Sequence, residues 1–289
     1  MHEKPGVDKG SRGSDYLAVG HVTLDLVPGG DVVLGGAVSY AAATAAALGL
    51  RAAAVTRCAG AVRPGRTLSQ VTWQVTQSER TTAFANRYDD DGRRVQTLLS
   101  VASAMERSDI PATVEPAGVM HIAPVIGEIA ADTVAGVAAS FVGVTPQGWL
   151  REVAADGTVT PGPWRVPSAI VARADAIVLS AEDIAGDESR AAWLAMRVPV
   201  VVVTLGASGA VAYAEGRTWR QAAIEAEAHD PTGAGDTFAA ALFTRLWEGA
   251  TVADALRFAA GAAAFAVERT GPEGAACRRD VERRAMTSS

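Results

Sequence analysis

One run, VPVVVVTLG at residues 198–206, constrains the fold of this chain more than any other. A β-branched stretch without polar alternation suits a strand covered on both faces, the condition found in parallel sheets. Short apolar runs of this kind recur at 16–22, 52–56, 119–123, 141–144, 176–179 and 200–204. Segments of helical period, such as 37–48 and 129–139, lie between several of them. The alternation predicts an α/β fold: a doubly wound, mostly parallel sheet with helices on both faces.

Two stretches break the pattern. TLDLVPGGDVVLGG turns at Pro-Gly-Gly-Asp, and TTAFANRYDDDGRRVQTLL turns at Asp-Asp-Asp-Gly. Both read as β-hairpins, near 23–36 and 80–100. We expect them to form a small β lid over a site, the alternative being an edge extension of the main sheet. Neither an internal repeat nor a low-complexity linker divides the chain, so residues 15–289 read as one domain. Residues 1–14 lack an apolar core and read as a disordered tail, not a signal peptide.

Composition narrows the function. The net charge of −6 over 289 residues argues against nucleic acid or an anionic membrane as the partner. Cys58 and Cys277 show no CxxC or metal-ligand spacing and read as thiols of a reducing cytoplasm. The longest apolar stretch, AVSYAAATAAALGL, is Ala-rich and interrupted, which makes it a buried helix and not a membrane span. Lys4 and Lys9 are the only lysines, and both lie in the tail. A P-loop and a Schiff-base lysine enzyme are therefore excluded. The G-x-S-x-G and H-E-x-x-H patterns are also missing.

In an open parallel sheet, ligands sit beyond the carboxyl ends of the strands. Asp25, Pro124, Gln147, Ser180 and Thr204 each fall at or just after a predicted strand end. The segment HDPTGAGDTFAAALF, residues 229–243, belongs on the same rim, because it ends in a helix start. Small residues at Gly233, Ala234 and Gly235 let an anion approach the unpaired amides of that first turn. Asp236 follows them, placed to accept a proton from an attacking hydroxyl. The plain alternative is a loop with an N-cap aspartate.

These residues resemble a known family. DPTGAGDTFAAALF is similar to the C-terminal motif of the PfkB, or ribokinase-like, carbohydrate kinases. VTLGASGAVAY resembles the nucleotide-side strand and turn of that family, VLGGAVSYAAATAAALG its Gly-Gly motif, and VGHVTLDLV its first strand. The resemblance spans residues 15–281 and implies an ATP-dependent kinase of ribokinase-like fold. It implies that Asp236 is the catalytic base and Gly233, Ala234 and Gly235 the anion hole. Thr204, Gly206 and Gly209 match nucleotide contacts, and Ala263 the adenine pocket. Asp25, Gly35 and Gly36 match acceptor-binding positions, with Ser39 beside them. Asp230 and Thr232 match a monovalent cation site, for K⁺.

Three departures from the family pattern bear on the substrate. Ser39 and Tyr40 stand where the family has Asn after Gly-Gly. Ser180-Ala181-Glu182-Asp183 replaces Asn-x-x-Glu, leaving Glu182 and Asp183 to organise Mg²⁺ through water. Thr145 stands where an Asp is common. These details resemble the myo-inositol 3-kinase branch. Arg87 is the one arginine the pattern places on the rim, and Asp89–Asp91 follow it, so a neutral sugar, cyclic polyol or nucleoside is the expected acceptor. The other reading is a sugar- or nucleotide-binding member of the fold with weak or no catalysis. The expected assembly is a monomer or homodimer.

Overall fold

A computed structural model describes residues 13–27, 29–88 and 94–287. The nine-stranded main sheet contains β1 (Ser14–Val19), β4 (Ala52–Cys58), β5 (Thr72–Gln77), β8 (Ala117–Ile122), β9 (Ala139–Val144), β12 (Ala176–Ser180), β13 (Val200–Thr204), β14 (Ala210–Ala214) and β15 (Arg217–Gln221). Its order is β15-β14-β13-β12-β9-β8-β1-β4-β5. Every pair from β13 to β5 is parallel, and β14 and β15 add antiparallel strands at one edge. All six apolar runs of the sequence map to strands of this sheet, although 16–22 outruns β1 by three residues and 119–123 outruns β8 by one.

Alternate residues of each strand feed two separate cores. Tyr16, Ala18, Val119, Phe141, Val178 and Val202 face one way, packing with helices α1 (Ala37–Ala47), α4 (Ala234–Trp247) and α5 (Val252–Val267). Leu17, Val19, Met120, Val142, Ile177 and Val203 face the other, with α2 (Ser168–Arg173) and α3 (Glu188–Ala195). The last helix, α6 (Arg278–Thr287), packs on α5. Burial on both faces is why these strands lack polar alternation. Among the described residues, no helix is long and apolar enough to cross a membrane.

A second, six-stranded sheet has the order β10-β11-β7-β6-β2-β3. It comprises β2 (Thr23–Leu26), β3 (Val32–Gly35), β6 (Thr82–Tyr88), β7 (Arg94–Ser100), β10 (Arg151–Val153) and β11 (Thr158–Pro161). It is separate from the main sheet and larger than two hairpins imply. β2–β3 and β6–β7 are antiparallel pairs, and β10–β11 is a third pair with no apolar alternation to announce it. Phe84 of β6 packs with Ala37, Ala123 and Val125, so this sheet bears on the start of α1 and the chain after β8.

One expected helix does not form. Residues 129–139 contain only a 3₁₀ turn, Asp132–Val134. The Thr133 hydroxyl is drawn into local bonds, accepting from the Ala130 N–H and donating to Met105 O, and Gly136 turns the chain at φ 70°. Such side-chain to backbone bonds compete with helix. The tail expected over 1–14 falls outside the described residues as far as residue 12, and Ser14 opens β1.

Candidate active site

Helix α4 runs against the strands it covers. Its last residue, Trp247, lies on Gly118 at the start of β8, and Phe243 lies on Gly143 of β9. Two helical turns earlier, its first turn therefore reaches the carboxyl ends of β8, β9 and β12. Gly233 caps this helix in the left-handed conformation, φ 77° and ψ 0°, without a side-chain cap. Glycine adopts it without the Cβ penalty. The loop before it is tied down: the His229 and Asp230 N–H groups donate to Val267 O at 2.7 and 3.0 Å, and the Thr232 N–H donates to Asp230 Oδ1 at 2.9 Å.

Gly235 sits in the first turn, where the helix offers its amide no carbonyl. A Cβ there would meet nothing within 4 Å, so the approach is open. Asp236 is half-buried in the same turn. Its charge reaches Tyr16: burial first, then this carboxylate, hold the phenol well above its ordinary range. The arrangement can offer backbone N–H groups and the positive end of a helix to an anion, with a carboxylate beside it.

The rim of β12 and β13 lies to one side. Ser180 and Thr204 are register partners. The Ser180 N–H donates to Asp183 Oδ2 at 2.8 Å, and the Asp183 N–H donates to Ser180 Oγ at 3.0 Å. This reciprocal pair orders the segment and engages one Asp183 oxygen, while Glu182 is exposed. No group of three or more His, Cys, Asp or Glu among the described residues could hold a metal by itself. A Mg²⁺ here would therefore rely on water and substrate oxygens, a fit that a single carboxylate allows. Gly209, at φ 93°, is needed by the turn itself, since a Cβ would fall 2.0 Å from Gln221 O. Gly206, at φ 57°, faces open space. Ala263 is half-buried on α5 against the core.

The second sheet lies on the other side. Asp25 is buried and accepts from Thr23 Oγ1 at 2.9 Å. Gly35 makes room for it: a Cβ there would fall 2.4 Å from Asp25 Oδ2. Gly36, at φ 88°, lets α1 start within 2.5 Å (Cβ position) of His21 O. Ser39 is wholly buried and donates to Gly35 O at 2.7 Å, so its hydroxyl braces the glycine pair and faces no ligand. Glu128 binds the two roots of this region together. Its carboxylate accepts the N–H groups of His21, Val125 and Ile126 at 2.9–3.0 Å.

Arg87 is on the wrong face for a rim residue. Phe84 points inward on β6, as does buried Asn86, and the strand period of two puts exposed Arg87 on the outer face. The arginine that meets Phe84 is Arg151, its guanidinium 5.9 Å from the ring centroid and donating to Val125 O at 3.0 Å. Sequence reading missed both Arg151 and Asn86. The first follows a 3₁₀ turn, and the second needs the facing of β6 to be known. Asp89–Asp91 lie outside the described residues.

Comparison with known proteins bears on this geometry. Residues 170–276, from α2 through the helix start to the chain after α5, match the pfkB family carbohydrate kinase model. Solved structures share the fold over nearly the whole chain. A pyrophosphate-dependent kinase of the ribokinase family, complexed with a pyrophosphate analog and myo-inositol, is 22% identical, with 93% of this chain and 99% of that one covered at a TM-score of 0.77. A nucleoside kinase from Methanocaldococcus jannaschii is 19% identical, covering 95% and 99%, at a TM-score of 0.73. Arabidopsis thaliana ribokinase, complexed with ribose and ATP, is 21% identical, covering 94% and 99%, at 0.69. The fold is ribokinase-like, and within it residues 170–276 are similar to the pfkB family of carbohydrate kinases.

Proposed function

We propose that this protein transfers the γ-phosphoryl group of ATP to a hydroxyl of a small neutral sugar, cyclic polyol or nucleoside. One observation carries the reading: Asp236 stands in the first turn of α4, directly after the left-handed Gly233 and the open Gly235. A carboxylate so placed would take the proton of the attacking hydroxyl while the Gly233–Gly235 amides hold the transferring group, that of Ala234 exchanging its 3.3 Å bond to Pro231 O for the anion. Thr204, Gly206 and Ala263 would contact the nucleotide, and Gly209 would shape the turn that presents Gly206. Asp183 with Glu182 would steer Mg²⁺ through water. The metal, when bound, would neutralise charge on the donor phosphates. Asp230 and Thr232, joined in one turn, support a K⁺ site next to the anion hole.

Asp25 would bind the acceptor, with Gly35, Gly36 and Ser39 holding its place. A neutral polyhydroxy ring suits a buried carboxylate that accepts hydroxyl protons. The relatives named above bind myo-inositol and ribose or are described as a nucleoside kinase, which supports the same acceptor class. Both cysteines are free thiols, which supports a cytoplasmic location.

The test is phosphoryl transfer from ATP across a panel of inositols, pentoses, hexoses, nucleosides and sugar phosphates, with and without Mg²⁺ and K⁺. A neutral acceptor with the highest kcat/KM supports the reading. Fructose 6-phosphate or tagatose 6-phosphate at the top would overturn it and make Arg151 the residue to mutate. Pyrophosphate belongs in the donor arm, and turnover with it alone would replace ATP as the donor.

A further inference from the structure

A file of buried polar groups crosses the main sheet beneath α4 and ends at the rim. The Tyr16 hydroxyl of β1 lies 2.9 Å from His121 Nδ1 of β8, and His121 Nε2 lies 3.0 Å from Thr145 Oγ1, just after β9. Tyr16 and His121 are fully buried, and Thr145 is 8% exposed. Phe243 of α4 closes over the imidazole edge-to-face, its centroid 5.0 Å away.

The direction of the bonds follows from what each group can offer. Among the described residues, the Tyr16 hydroxyl has one hydrogen-bond partner, His121 Nδ1. A buried phenol O–H with no acceptor would carry a desolvation penalty, so Tyr16 donates and Nδ1 accepts. The ring proton then resides on Nε2 and is donated to Thr145 Oγ1. Burial keeps the imidazole neutral, its pKa lowered to about 3. Thr145 thus receives a bond from below, and its own O–H must donate elsewhere.

The place it faces is defined by the sheet. β9 lies between β8, whose outgoing chain meets the second sheet, and β12, whose end carries Ser180 and Asp183. Thr145 shares its side of β9 with Gly143, the residue under Phe243, so its side chain lies on the α4 face, toward the helix start. We infer that Thr145 donates a hydrogen bond to an oxygen of the phosphoryl group in transfer, and that His121 and Tyr16 are positioning residues that fix this polarity. An anionic phosphoryl oxygen only accepts, which matches a hydroxyl left with only a proton to give. The inference rests on the kinase reading above.

The experiment has three readouts on the full-length protein. First, ¹⁵N-histidine NMR, with His121→Gln to assign the signal, is expected to show His121 protonated at Nε2. Protonation at Nδ1 would reverse the file and overturn the inference. Second, Thr145→Val is expected to lower kcat roughly 10²-fold, as loss of one such donor does, with acceptor and donor KM little changed, and Thr145→Ser to restore most of it. An unchanged kcat, or a loss confined to the acceptor KM, overturns it. Third, Thr145→Val is expected to weaken binding of ADP with aluminium fluoride but not of ADP alone, and equal affinity for both overturns the inference. Failure of the wild-type protein to bind ADP or to turn over any acceptor counts against the kinase reading, whereas the tautomer is read without turnover.

Discussion

The ring of Tyr40 lies so close to Gly233 that a Cβ on the glycine would fall 2.2 Å from Cδ1 and Cε1. The family pattern that the sequence resembles has Asn near this position of α1, whereas here an aromatic ring walls the loop that leads into α4. Gly233 is thus held twice, by its left-handed dihedrals and by a buried neighbour. Gly233→Ala should cost about 1–3 kcal/mol through overpacking and strain and should abolish transfer. Gly235→Ala makes the contrast: it adds a methyl in open space and should melt near the wild-type temperature. If the open approach is where the phosphoryl group comes in, Gly235→Ala should still lose rate. Thermal melts and kcat on both variants check this, and wild-type turnover by Gly235→Ala would mean the anion binds elsewhere.

Asp236→Asn should leave nucleotide affinity nearly unchanged while lowering kcat by about 10²–10⁴, the usual cost of losing a general base. The backbone of α4 needs no carboxylate to form, since Gly233 caps it without a side chain. Turnover above a tenth of the wild-type rate would remove Asp236 from the role of base.

Asp25 and Gly35 should behave as one unit. Asp25→Ala removes hydrogen bonds to a charged group, a loss of about 1.5–3 kcal/mol, or one to two decades in acceptor affinity. Gly35→Ala, whose methyl would fall 2.4 Å from Asp25 Oδ2, should mimic it by displacing the carboxylate. Calorimetry of acceptor and ATP separates the effects: acceptor affinity falls and ATP affinity holds. Equal acceptor affinity in Asp25→Ala would place the acceptor away from β2.

How far the sequence could be read depended on how local the physics was. The run 200–204 announced a strand buried on both faces, and Val201, Val202 and Val203 do feed the two cores alternately. The glycines and aspartate of 233–236 announced a helix start, because left-handed dihedrals and open amides are properties of a few adjacent residues. The contacts of Tyr40 with Gly233, and of Arg151 with Phe84, carry no such local sign. They depend on helix placement and on which face of β6 turns inward, where a register shift at Ala83/Phe84 further hides the pattern. The sequence 129–139 has helical period, yet the Thr133 hydroxyl and Gly136 divert it.

Acid should weaken the fold before most carboxylates protonate, through the two histidines buried among the described residues, His21 and His121. Burial lowers the pKa of His121 to about 3. Burial also lowers His21, with Arg57 adding to the effect against the opposing pull of Glu128 and Asp109. The His21 ring nitrogens lie 3.0 Å from Ser103 O and 2.9 Å from Thr82 Oγ1. Both folded-state values lie below the ordinary imidazole value of about 6.5. The unfolded chain therefore binds protons that the folded chain refuses, so stability is fully present above that value and declines as pH falls below it. His121 contributes a slope approaching about 1.4 kcal/mol per pH unit below that value, continuing to about pH 3, and His21 adds to it in the same direction. Urea unfolding at pH 7.5, 6 and 5 should show the decline, and His121→Gln should make it shallower. A wild-type stability that is flat from pH 7.5 to 5 would mean that these rings are already accessible to protons in the folded protein.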